Sequence, residues 1–104
     1  MTDSAPLRIL LHATDAEGLQ RARMNAANAH KGDPQCTLRI IANAAAVAAA
    51  LDTPHSPTDA LTFLCPNTLA QLQRSYHAPL QVLDEAAVLA LARLQTAGWA
   101  YVRS

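Results

Sequence analysis

Apolar runs of strand length recur at Leu7–His12, Cys36–Ala42, Ala60–Leu64, Leu80–Leu83 and Trp99–Arg103, with helical patterns between them. Parallel strands need a crossover connection, and a helix is the usual one. Strands alternating with helices through short connections therefore imply right-handed βαβ units. The expected fold is a single three-layer α/β domain over residues 1–104, with a mostly parallel sheet and helices on both faces. Residues 1–6 read as a short flexible lead-in.

The helices carry recognisable punctuation. Thr14 and Asp15 are good N-cap types for a helix over Asp15–His30. Its apolar or small face runs Leu19, Ala22, Ala26 and Ala29, while Arg21 and Arg23 are expected to point elsewhere. Lys31-Gly32-Asp33-Pro34 predicts its stop, with Gly32 as C-cap glycine. Asn43 is placed to cap a short helix over Ala44–Leu51. Asp52–Asp59, with Pro54 and Pro57, reads as a loop of breakers. A helix over Pro66–Tyr76 follows the third strand, and Asp84 is placed to cap the last helix, Glu85–Ala97. Gly98 ends that helix. It has almost no polar side, and a helix apolar all round is buried all round. One domain of this size covers only one face of it, so the other is expected to meet a second protomer.

Composition narrows the class of partner. Charged residues are 15% of the chain and formal net charge is zero. No cluster of Lys and Arg appears in the sequence, so phosphate neutralisation, and with it nucleic-acid binding, has no support. No apolar run approaches the roughly 20 residues a membrane span requires. Met-Thr-Asp-Ser-Ala-Pro at the start is polar and acidic, unlike a signal peptide. The two cysteines, Cys36 and Cys65, lie far apart, which reads as two reduced thiols in a cytoplasmic protein.

Chemistry concentrates at Phe63-Leu64-Cys65-Pro66-Asn67, where a strand runs directly into a helix. With Pro66 at the first helical position, Cys65 meets the positive end of the helix dipole. That placement favours thiolate and a better nucleophile or persulfide carrier. It equally suits a small buried hydrophobe ending a core strand, since free cysteine is among the most buried residue types. His12, ending the first strand, shares the same sheet edge and suits either an anion or proton role or an ordinary turn hydrogen bond. Asn43 and Asn67 follow strand ends, where an amide can serve a ligand or simply cap a helix. Cys36, opening the second strand, reads as structural.

Other chemistries lack a pattern. His30, His55 and His77 show no zinc-site spacing, so no metal is expected. His55-Ser56 beside Asp52 or Asp59 has the letters of a hydrolytic triad without a nucleophile elbow. Three glycines form neither a dinucleotide fingerprint nor a P-loop, and no cofactor is expected.

Taken in order, several stretches form a familiar series. They are Leu-Arg-Ile-Leu-Leu-His at the start, Asn25-Ala26-Ala27-Asn28, Arg39-Ile40-Ile41-Ala42-Asn43, Phe63-Leu64-Cys65-Pro66-Asn67-Thr68-Leu69, and the ending Leu94-Gln95-Thr96-Ala97-Gly98-Trp99-Ala100-Tyr101-Val102-Arg103. Over nearly its whole length the chain resembles the DsrE/DsrF-like family of sulfur-relay proteins. Its most specific parts are the Cys-x-Asn-Thr/Ser-Leu turn and the Gln-x-x-Gly-aromatic-x-Tyr ending. The resemblance implies a five-stranded parallel sheet ordered 4-3-2-1-5, with only the last helix on the second face. It implies trimers or hexamers, and a sulfur donor or acceptor protein as partner. It also implies that Cys65 alone accepts sulfane sulfur as a persulfide and passes it on. The family's usual glycine-rich, basic setting for this cysteine is absent here, and Asn43 stands where relatives commonly have glycine. Many compact relatives have no established activity, which keeps open a non-catalytic binding or scaffold role with Cys65 structural.

Overall fold

A computed structural model describes residues 6–104; apart from Pro6, the lead-in read over residues 1–6 lies outside the described residues. The elements are β1 (Arg8–Ala13), α1 (Ala16–Gly32), β2 (Thr37–Ala42), α2 (Ala45–Asp52), α3 (Ser56–Asp59), β3 (Thr62–Leu64), α4 (Pro66–Leu72), β4 (Gln81–Val82), α5 (Ala87–Thr96) and β5 (Ala100–Arg103). The five strands are all parallel, in the order β4-β3-β2-β1-β5. This is the three-layer α/β architecture with the strand order that the resemblance implies.

Alternation along the strands sorts the core into two layers. Leu11, Ala13, Ile40, Ala42 and Leu64 point to one face, where Leu19 and Ala22 of α1, Val47 and Ala50 of α2 and Leu69 of α4 cover them. Leu10, Ile41 and Cys65 point to the other face, against Ala87 and Leu91 of α5 and Trp99. Alanine dominates the helix surfaces here, which lets the helices lie close on the sheet.

Several boundaries differ from the sequence reading. The stretch over Asp52–Asp59 contains the short helix α3, because Pro57 falls in a first turn where its missing N–H costs nothing. The helix read to Tyr76 ends at Leu72, where Gln73 turns left-handed at φ 53°. Neither glycine nor proline marks that stop. Gly32 is the last helical residue of α1 rather than its cap, and the Asp33 N–H closes the turn on the Ala29 carbonyl. Asp84 does not cap α5; the N-cap is Ala86 without a side-chain bond, and the Glu85 carboxylate is held by Arg93 at 2.9 Å. Trp99 precedes β5 and packs into the second core layer.

Arg23 corrects a larger expectation. It is buried on α1 beside Asp59 of α3, with Nη2 and Oδ1 3.5 Å apart. The carboxylate is what makes burial tolerable, because a guanidinium in the interior needs an opposite charge. Burial pushes the Arg23 pKa down, and the Asp59 charge partly offsets it.

The last helix buries Ala87, Ala90 and Leu91 and exposes its other side, with Val88 72% and Leu89 49% exposed. It is therefore buried on one face only within this chain.

Candidate functional site

The C-terminal ends of β1, β2 and β3 lie side by side and present His12, Asn43 and Cys65. Leu64 pairs with Ala42, so Cys65 follows alongside Asn43, and the Cys65 N–H donates to the Ala42 carbonyl at 2.9 Å. In open parallel sheets this edge is where ligands bind.

His12 and Asn43 are brought together directly. His12 Nε2 lies 2.9 Å from Asn43 Oδ1, and His12 Nδ1 lies 2.6 Å from the Tyr101 hydroxyl. With the amide in this orientation, Oδ1 can only accept, so Nε2–H donates to it; in the neutral ring Nδ1 then accepts from the Tyr101 hydroxyl. Asn43 is thus committed to the histidine, and the expected helix cap falls instead to Ala44, which has no side chain to use. The sequence reading held Tyr101 only as part of the C-terminal motif and not as a site residue, because its contact with His12 depends on β5 pairing with β1, with Tyr101 opposite Leu10. Among the described residues, no hydrogen bond joins this trio to Cys65.

Ala44 adopts φ 50°, ψ −137°, a conformation that favours glycine. Its N–H is held by Thr68 Oγ1 at 3.3 Å. Backbone strain of this kind costs about 1–3 kcal/mol. Replacing Ala44 with glycine relieves it, at a cost of roughly 0.5–1 kcal/mol in unfolded-chain entropy. Ala44→Gly is therefore expected to gain about 1 kcal/mol in urea unfolding; a loss would show that the turn is unstrained.

Cys65 is the N-cap of α4 and is 6% exposed. Burial pushes its thiol pKa up. The N–H groups of Thr68, Ala87 and Asn67 and the Thr68 hydroxyl pull it down and prevail, leaving it below the ordinary thiol value. The donors come from two helices, because Ala87 opens α5. The thiol closes no capping bond in the resting structure, so these groups surround it as dipoles that a thiolate would accept. Thr68 suits this arrangement. Its oxygen accepts from Ala44, leaving its hydroxyl hydrogen for the sulfur. Asn67 contributes through its backbone; its side chain is exposed.

Cys36 is half-buried against the larger core layer. The His55 ring bonds Thr58 Oγ1 at 2.7 Å, while the Asp59 carboxylate accepts from the His55 backbone N–H. These contacts brace the short helix α3 and do not make a hydrolytic triad, since the His55 ring bonds Thr58 and not Ser56. Among the described residues, no three His, Cys, Asp or Glu side chains are grouped to hold a metal ion. No helix among them is long and apolar enough to cross a membrane.

Fold and edge together define a parallel α/β domain with a polarised cysteine at a strand-to-helix turn. Neither a protein-family model nor a curated protein matches the sequence.

Proposed function

We propose that this chain is a DsrE/DsrF-like sulfur-relay protein of the cytoplasm in which Cys65 carries sulfane sulfur. The observation that carries the reading is the set of donors from two helices converging on one buried sulfur. They stabilise negative charge there without any cationic side chain. In the transfer, the Cys65 thiolate attacks the outer sulfur of a donor persulfide, R–S–SH. The donor S–S bond breaks, R–S⁻ leaves, and Cys65–S–SH remains. An acceptor thiolate then takes the same outer sulfur and regenerates Cys65 thiolate. His12, Asn43 and Asn67 line the edge such a partner would approach.

The exposed Val88 and Leu89 on α5 support a homo-oligomer, trimeric or hexameric as the resemblance implies. The second reading, an oligomeric binding or scaffold protein with Cys65 structural, draws on the burial of Cys65 among Leu10, Ile41 and Leu91.

Alkylation separates the two. Cys65 is expected to react with iodoacetamide as thiolate, with a midpoint below the roughly 8.5 of a free cysteine. Thr68→Val, which removes the hydroxyl donor, moves that midpoint up. An unreactive Cys65, or a midpoint above the free value, favours the structural reading. The same shift appears in stability. Because the folded thiol pKa is depressed, its contribution is fully present above the unfolded pKa and is lost as pH falls through the folded one.

A further inference from the structure

On the face that α5 covers, two arginines distant in sequence meet one ring. The Arg39 guanidinium carbon lies 4.7 Å from the centre of Trp99 and 5.1 Å from that of Phe63. The Arg8 guanidinium lies 5.6 Å from the Trp99 centre and donates through Nη2 to the Ala97 carbonyl at the end of α5. Strand register puts both on one side of the sheet, since Arg39 pairs with Leu10, two residues on from Arg8. Among the described residues the ion pairs of arginines belong to Arg23, Arg74 and Arg93. Their side-chain hydrogen bonds belong to Arg8, Arg74 and Arg93. Arg39 has neither.

Stacking occupies the flat faces of a guanidinium and leaves its five N–H donors pointing outward in the plane. Arg39 is half-buried with both rings against its guanidinium, and among the described residues no group accepts from its N–H edge. A second guanidinium on the same ring concentrates positive charge, which the Trp99 quadrupole offsets in part. An anion from outside the chain supplies both the missing acceptor and the missing charge.

We propose that Arg39, held against Trp99 and Phe63 and sharing the Trp99 ring with Arg8, binds the oxyanion group of a small molecule: a carboxylate, sulfate or phosphate. A carboxylate offers two oxygens to the guanidinium fork as parallel charge-assisted bonds, and tetrahedral oxyanions can do the same. The site is independent of the sulfur chemistry. It lies at Arg39 and Phe63, short of the strand end that carries Cys65, and needs no thiolate.

Trp99 is the only tryptophan of the chain, so all tryptophan emission comes from a ring of this site. Native protein is titrated at matched ionic strength with succinate, inorganic sulfate or inorganic phosphate, against chloride. At least one oxyanion is expected to give a saturable change in Trp99 emission and a rising Tm, and the one saturating lowest identifies the group. Arg39→Gln weakens that binding by about tenfold or more, Arg39→Lys weakens it less, and Cys65→Ser leaves it unchanged. Responses equal to those with chloride overturn the proposal, as does unaltered binding in Arg39→Gln. An emission change that follows protein concentration instead of added anion also overturns it, and assigns the site to a carboxylate of a second copy. The Tm shift of the native protein decides the matter even if a variant fails to fold.

Discussion

Replacing Asp59 with alanine is expected to destabilise the domain by about 3–5 kcal/mol, a large part of the 5–15 kcal/mol typical of a folded domain. The reason is not the attraction lost, which a 3.5 Å contact without hydrogen-bond geometry keeps modest. It is the charge left behind. Arg23 is buried on α1, and its Nε and Nη2 already lack a hydrogen-bond partner among the described residues. Without the carboxylate, desolvation of the guanidinium stands uncompensated. Asp59 also accepts the His55 N–H at 2.9 Å, so α3 loses its internal brace as well. Urea unfolding of Asp59→Ala measures the cost. The double replacement Arg23→Met with Asp59→Leu removes both charges together and is expected to recover most of it. Equal losses in single and double variants would show that the residues matter for shape and not for charge.

Leu64→Ala is expected to cost about 2–5 kcal/mol, the range for truncating a fully buried leucine. Leu64 is fully buried against the layer formed with α1 and α2, and it ends a strand of only three residues. That strand sets the position of Cys65, so the cavity opens beside the candidate site without touching the sulfur. Urea unfolding reads the loss, and alkylation of the folded fraction reads the site. Lower stability with an unchanged Cys65 midpoint is expected, because the donors around the sulfur come from α4 and α5. A cost below about 1 kcal/mol would mean that the site collapses around the gap.

Architecture was legible in this sequence because hydrophobic periodicity switches cleanly between strand and helix. Leu10 and Leu11, pointing to opposite core layers, are a buried parallel strand written in adjacent residues. Asp15 was legible as a cap, and its carboxylate does accept the Gly18 N–H. Local signals failed where a distant partner decides. Arg23 looks like a surface residue until Asp59 arrives from 36 positions away. Gln73 ends α4 in a left-handed conformation that neither glycine nor proline announces. The candidate site divides in the same way. Cys65 and Pro66 declare a strand-to-helix turn locally. The Ala87 and Tyr101 contacts and the approach of Trp99 to Arg8 and Arg39 follow from the crossover of α5 and from β5 pairing beside β1. Sequence spacing carries none of those contacts.

The persulfide itself is the most direct test of the proposed role of Cys65. Reduced protein is exposed to a sulfane-sulfur donor, trapped with an alkylating agent, and mapped by mass spectrometry, with Cys65→Ser and Cys36→Ser in parallel. One added sulfur atom on Cys65, kept in Cys36→Ser and lost in Cys65→Ser, is the expected result. Equal labelling of Cys36 and Cys65, or none on Cys65, would contradict it.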